Sequence, residues 1–242
     1  MCTVTVVPHE RGVRLFCNRD ERRTRLAALP PRIYDLGSRL AVFPVDPQGG
    51  GTWIGVNDAG VMVALLNVHR RNHAPEEQPR WSRGLIVREL LHCRSLPHAT
   101  AVLESLDPHA FEPFKVIIVH EGLVAVATNN ATARIRCTRR ALEGPLLFTS
   151  SSLGDTLVRP PRQRLFQRMV VRNGAGWLAG QARFHDHQWS RCPEVSIRME
   201  RNDALTVSRT RIDVTNDTRQ LLYEAPLDAA TPDRVHEWCS LH

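Results

Sequence analysis

The residue with the most chemical promise stands second in the chain. Removal of Met1 is expected because the side chain that follows it is small, and it leaves Cys2 carrying both a thiol and a free α-amine. An α-amine titrates at about 7.7–8.0 and a thiol at about 8.5, so modest local tuning moves either proton at neutral pH. One residue then supplies a nucleophile and its base, an established way of activating a terminal side chain. The plainer alternative makes Cys2 a small apolar residue opening an edge strand.

A second feature bears on that choice. Asn18-Arg19-Asp20-Glu21 is a dense polar cluster directly after an apolar strand. Thr3 to Val7 and Val13 to Cys17 are β-prone and joined by Pro8-His9-Glu10-Arg11-Gly12, which predicts a hairpin. With the turn centred near Glu10, Cys2 comes opposite Asn18 to within a residue or two. Alternation puts Asn18 and Asp20 on one face and Arg19 on the other. A carboxylate beside the terminal amine would hold it and stabilise its ammonium form after it takes the thiol proton. Taken alone, such a cluster is more often a solvated strand end.

The elements that must position these residues follow from periodicity. Thr52 to Val56, the turn Asn57-Asp58-Ala59-Gly60 and Val61 to Leu66 make a second hairpin ending at Asn67. The connector Arg22 to Pro47 and Gly49 to Gly51 reads as loop with one short strand at Leu40 to Phe43. Arg70 to Arg80 reads as a polar loop. Ser82 caps a predicted helix over Arg83 to Cys93, and Pro97 opens another running to Leu106. Phe114 to His120, Leu123 to Thr128 and Ala133 to Thr138 read as strands. A helix begins at Pro160-Pro161 within Leu153 to Val171. Strands at Val195 to Arg201, Ala204 to Asp213 and Gln220 to Glu224 close the chain. Hairpins followed by helix pairs, without a βαβ rhythm, predict an α+β fold in which two antiparallel sheets are sandwiched by helices, as a single domain over 1–242.

The start Met1-Cys2-Thr3, Asn18-Arg19-Asp20-Glu21, Gly50-Gly51-Thr52-Trp53-Ile54-Gly55-Val56-Asn57, Leu66-Asn67 and Ser82-Arg83-Gly84 occur in one order over the first ninety residues. In them the chain resembles the NRDE proteins, related to transport and Golgi organization protein 2. Further on the similarity is looser, through Phe148 to Gly154 and Val195 to Arg201. The resemblance implies membership of the N-terminal nucleophile hydrolase superfamily, with its four-layer αββα sandwich. Gly55 to Gly60 with Leu66-Asn67 is also similar to the penicillin V acylase and bile salt hydrolase group. By that analogy Cys2 attacks an amide carbonyl of a small amide or acylated substrate, and Asp20 positions the amine. Asn67 and Asn129 then donate to the tetrahedral oxyanion, where losing one donor typically costs about 10²- to 10³-fold in rate. Ordinary turn chemistry at strand ends explains the two asparagines equally well. The acylases carry an arginine three positions before the aspartate, where this chain has Cys17. Arg19 and Arg191 are the arginines offered for the site, Arg191 with Asn18 on the substrate side, and either would favour an anionic small molecule. The resemblance also implies an alternative, a haem-handling or trafficking protein that keeps the fold without turnover.

The remaining signals narrow the field. His185 and His187 share a face if Phe184 to Trp189 is extended, and two imidazoles so placed can hold a metal or haem, although no third or fourth ligand lies nearby. Hydrogen-bonded or surface histidine is the commoner reading, and no metal or resident cofactor is expected. Six cysteines without a C-x-x-C pair suggest neither a zinc site nor a disulfide scaffold. The 242 residues are 42% apolar and 24% charged with formal charge +7, yet Lys115 is the sole lysine. Arg134, Arg136, Arg139 and Arg140 form a basic run without interleaved aromatics, which argues against single-stranded nucleic acid. No apolar stretch approaches the roughly 18 residues of a membrane helix, and Pro8 and His9 interrupt any signal-peptide core. The expected setting is cytoplasmic, with a small-molecule substrate, no nucleic acid and no membrane span.

Overall fold

The computed structural model describes residues 2–69, 81–129, 134–225 and 235–241. Cys2–His9 (β1) and Gly12–Arg22 (β2) pair antiparallel about a turn at Glu10-Arg11. Their β-branched and apolar side chains suit a strand pair covered on both faces. The register sets Cys2 against Arg19 and Val4 against Cys17, one residue along from the pairing of Cys2 with Asn18. Alternation therefore puts Arg19 and Cys17 on the Cys2 face and turns Asn18 and Asp20 to the other.

Around this hairpin a six-stranded sheet has the order β10-β1-β2-β11-β12-β13. Its other members are Leu146–Ser150 (β10), Ala204–Thr215 (β11), Arg219–Ala225 (β12) and Val235–Leu241 (β13). The second sheet runs in sequence order through seven strands. These are Leu29–Asp35 (β3), Leu40–Val45 (β4), Ile54–Asn57 (β5), Met62–Asn67 (β6), Phe114–His120 (β7), Leu123–Asn129 (β8) and Arg136–Ala141 (β9). The strand pairs are antiparallel in both sheets.

Val4, Val6, Leu15 and Ile212 of the first sheet pack on Val42, Ile54, Val56, Met62 and Leu66 of the second. Helices Gly84–Leu90 (α1) and Leu96–Ser105 (α2) cover the outer face of the second sheet. Asp155–Met169 (α3) and Trp177–Asp186 (α4) cover that of the first through Leu165, Phe166 and Phe184. The layers are αββα, as the hairpin and helix order predicts. Among the described residues no helix is long and apolar enough to cross a membrane.

Several local expectations change. The loop after Arg22 holds two strands, β3 and β4, instead of one short one. Ser82 does not cap α1; Arg83 stands at the N-cap without a side-chain hydrogen bond. Helix α3 starts at Asp155, five residues before the proline pair, because Val158 belongs to the same buried stripe as Arg162, Leu165 and Phe166. Val195 to Arg201 is not a strand, and β10 pairs with β1 along the edge left open by the sequence reading. Residues 70–80 lie outside the described residues.

His185 falls on α4, so it and His187 do not share an extended face. Its Nδ1 lies 2.8 Å from Asn18 Oδ1 and its Nε2 2.7 Å from Thr5 Oγ1. Asn18 Nδ2 donates to the carbonyls of His185 and Ile197, so Oδ1 is the acceptor and Nδ1 carries the proton. The ring also stacks on Phe16 at 4.2 Å. Both ring nitrogens are thus committed, and neither is offered to a metal or haem. Burial holds this imidazole well below the ordinary histidine range. Unfolded, the same group takes a proton below about pH 6.5, so stability is full above that pH and is lost as pH falls, at up to about 1.4 kcal/mol per pH unit. Urea midpoints measured from pH 7.5 to 5.0 should decline in this way, and more shallowly in His185→Gln.

Candidate active site

Two glycine-bearing segments meet beside the start of β1. The Thr52 amide donates to the Gly84 carbonyl at 3.1 Å. A Cβ on Gly51 would come within 2.3 Å of the Gly84 carbonyl carbon, and one on Gly84 within 2.8 Å of the Thr52 nitrogen. Backbone touches backbone here, which gives a physical reason for glycine in both Gly50-Gly51-Thr52-Trp53 and Ser82-Arg83-Gly84. The crossing forms one wall of a cavity of about 480 Å³, and Cys2 lies in the lining together with Arg19, Asp20 and Asn67.

Cys2 is buried and directly opposite both Arg19 on β2 and Ser150 on β10. Its backbone nitrogen, the atom that becomes the α-amine if Met1 is removed, donates to Ser150 Oγ at 3.4 Å. A hydrogen bond with the Cys17 side chain lowers the Cys2 thiol against the effect of burial, with Arg19 helping and Asp20 opposing. Burial raises Cys17 well above the ordinary thiol range. The proton therefore stays on Cys17, and Cys2 is the sulfur that ionises.

Arg19 lies over the Trp53 ring, 4.1 Å from its centroid, and reaches Asp46 at 3.4 Å and Glu21 at 3.7 Å. Arg25 closes the same quartet through Asp46 and Glu21. Asp20 lies one residue past the last β1–β2 pair and is almost wholly buried. Burial raises its carboxyl, while the Arg162 charge and the Thr206 hydroxyl, 2.6 Å from Oδ1, pull it down.

Arg162 is a residue the sequence reading missed. It is the largest fully buried side chain among the described residues. Its guanidinium donates to Thr3 Oγ1, Thr149 Oγ1 and the carbonyls of Val195 and Ser196. The available signal was its place in the stripe Val158, Arg162, Leu165, Phe166, an arginine at a core position of an amphipathic helix. Ser150 and Arg83 were also missed as cavity or amine neighbours, Arg83 despite standing in a quoted motif.

Of the expected site residues, Cys2, Arg19, Asp20 and Asn67 come together at the cavity. Asn67 ends β6, and its side chain makes no hydrogen bond among the described residues. The other three do not join them. Asn129 is fully buried and turns its amide to the carbonyls of Pro108 and Phe111, away from the cavity lining. Asn18 serves the His185 network on the far side of the sheet. Arg191 is exposed in the turn after α4 and does not line the cavity, whereas Arg201 does.

The family described as Transport and Golgi organisation 2 matches residues 1–171. The chain belongs to this family. No curated protein sequence matches it significantly. Among solved structures it is similar to penicillin V acylase from Agrobacterium tumefaciens, at TM-score 0.57 and 14% identity over 98% of this chain and 85% of that one. It is also similar to the Caenorhabditis elegans ortholog of N-acylethanolamine-hydrolyzing acid amidase, at TM-score 0.60 and 13% identity over 87% and 92% of the two chains. The C2A mutant of conjugated bile acid hydrolase from Clostridium perfringens matches at TM-score 0.52 and 11% identity, over 100% and 97%. At these identities the likeness is one of fold, that of the N-terminal nucleophile hydrolases.

The coupling of Arg162 to Asp20 can be measured. Arg162→Met removes a charge that favours the Asp20 carboxylate and leaves Thr3, Thr149 and the carbonyls of Val195 and Ser196 without their donor. At about 1–3 kcal/mol for each group stranded, it should destabilise the protein by several kcal/mol. Adding Asp20→Asn should recover part of that loss, giving a coupling of about 0.5–3 kcal/mol in a denaturation cycle.

Proposed function

We propose that this protein is a cysteine-type N-terminal nucleophile amidohydrolase that opens the C–N bond of a small amide or acylated substrate. The observation that carries the reading is Cys2 at the head of β1, lining a cavity, its thiol lowered by Cys17 and its nitrogen beside Ser150. The structures of like fold support it, since they are named as an acylase, an acid amidase and a bile acid hydrolase.

In the mature chain the α-amine takes the Cys2 proton, and the thiolate attacks the substrate carbonyl carbon. Ser150 Oγ, and Asp20 at the end of the same strand pair, keep the amine in place. The tetrahedral oxygen gathers negative charge and is met by the Asn67 amide, whose donors are unused within the described residues. Collapse breaks the C–N bond, and the ammonium returns its proton to the departing amine. A thioester on Cys2 remains. Water, deprotonated by the amine, then releases the acid and restores the thiol. Arg19 is tied to Trp53, Asp46 and Glu21, so its part is to set the local field and the shape of the wall. Asn129 is assigned no part in this scheme, because its amide is engaged elsewhere.

The family description favours a second reading, a carrier or trafficking protein of the transport and Golgi organisation type. Its haem-handling form gains no axial ligand from His185, whose ring nitrogens are both bonded.

An electrophilic acyl probe should label the wild type and fail to label Cys2→Ala, and intact mass should show Met1 absent from the labelled population. Retention of Met1 on labelled protein would overturn the amine-as-base mechanism. Haem titration indifferent to Cys2, with no labelling, would favour the carrier. For a substrate found by screening, Asn67→Ala should reduce kcat by about 10²- to 10³-fold with little change in KM, read from steady-state kinetics.

A further inference from the structure

Five arginines line the cavity, and their commitments differ sharply. Arg19 and Arg25 share Asp46 and Glu21. Arg201 is paired with Asp203 and bonded to Ser152. Arg22 is exposed at the rim. Arg83 is different. It is half-buried, and within the described part of the chain its guanidinium makes one hydrogen bond, from Nη1 to the Pro113 carbonyl at 3.0 Å. Among the described residues it forms no ion pair, although Glu112 and Glu21 attract it from further off. Among the described residues four of its five donors are therefore unused, in a cavity that Cys2 also lines.

A guanidinium withdrawn from water without a carboxylate is costly unless something else meets it. Its planar fork matches a carboxylate with two parallel hydrogen bonds. The rest of the lining suits a polar guest. Trp53 is covered by Arg19, and Leu65 is the other large apolar side chain in the wall. A cavity of about 480 Å³ so furnished fits a compact charged molecule better than a long apolar chain. We propose that Arg83 is the specificity determinant of this site and receives the carboxylate of a small anionic amide whose reacting carbonyl lies at Cys2. The inference rests on the amidohydrolase reading for the reacting atom, but its test does not need turnover.

The probes are iodoacetate and iodoacetamide, near-isosteres that differ in charge. Each is displaced at its CH₂ carbon by the Cys2 thiolate, with a C–S bond formed, iodide expelled and the thiol proton passed to buffer. Peptide mass spectrometry follows labelling at Cys2 in the full-length protein, and N-acetylcysteine amide in solution provides the neutral reference ratio. In the wild type the iodoacetate-to-iodoacetamide rate ratio at Cys2 should exceed the reference by about tenfold, equivalent to about 1.4 kcal/mol. Arg83→Gln should return it to about the reference value, Arg83→Lys should fall between because it keeps the charge without the fork, and Arg191→Gln should leave it unchanged.

A wild-type ratio equal to the reference overturns the proposal, as does a raised ratio that survives Arg83→Gln. Failure of both reagents to reach Cys2 also overturns it. If Arg83→Gln does not fold, the wild-type ratio and the Arg83→Lys value still decide. A raised ratio in a protein that turns over no amide keeps the anion site and removes the hydrolase. Turnover of neutral amides with a flat ratio keeps the hydrolase and removes the anion site.

Discussion

The pairing of β1 with β2 governs what the site can be. Side chains on adjacent strands alternate, so the register decides which members of a polar cluster meet the first residue of the chain and which are sent through the sheet. With Cys2 against Arg19, the thiol shares its face with Cys17 and a guanidinium held by Trp53 and Asp46. Asp20 falls to the opposite side, where Arg162 and Thr206 receive it, yet its place at the strand end still brings it to the cavity. A slip of one residue would exchange these partners and seat a carboxylate beside the sulfur, which raises a thiol rather than activating it.

The two faces of that hairpin are built from different chemistry. Between the sheets the contacts are apolar, mostly aliphatic with Trp53 and Tyr223 among them. Under α3 and α4 the first sheet instead presents Thr3, Thr5, Asn18 and Asp20. These groups are tolerable there because the helices supply matching partners: Arg162 for the threonine hydroxyls, His185 and Gln181 for Thr5, and backbone carbonyls for Asn18. Such a network accepts few alternative alignments, since a shifted helix would strand buried donors at a cost of about 1–3 kcal/mol each. It holds the strand that carries Cys2 against a fixed layer, whereas a purely apolar seam could slide.

Local alternation made the first two hairpins readable, along with the αββα order, because each depends on neighbours in sequence. What escaped depended on distant partners. Strand β10 is short and follows Gly144-Pro145, and it is a strand because it completes the edge beside β1. Helix α4 was obscured by a pair of histidines two residues apart, although Gln181, Phe184 and His185 already show helical spacing. Alternation separates Asn18 from Arg19 in the sequence already, but a hairpin register one residue different decides which of the two shares the Cys2 face. Arg191 precedes Val195 to Arg201, a β-prone run that forms no strand and so does not carry it to the site. Arg162, the buried arginine that ties β1 and β10 to the carbonyls of Val195 and Ser196, was hidden because a charged residue in an apolar stripe is easily discounted.

The activation of Cys2 rests on an ordering of two thiols rather than on a single cation. The position two residues before Arg19, on the same face as Cys2, holds a thiol and not a cation. Cys17 answers with a neutral donor. It lies deeper, and burial raises it well above the usual range, so it gives up its proton less readily than Cys2. A donor that cannot ionise first always has a hydrogen to offer its neighbour, and that bond is the largest influence lowering Cys2. Arg19 contributes less because Asp46 and Glu21 already draw on it. The thiolate is thus favoured by a hydrogen bond fixed by strand register, and the guanidiniums around it are left free to differ in role: two clamp carboxylates, one is shielded behind the sheet, and Arg83 remains available to a ligand.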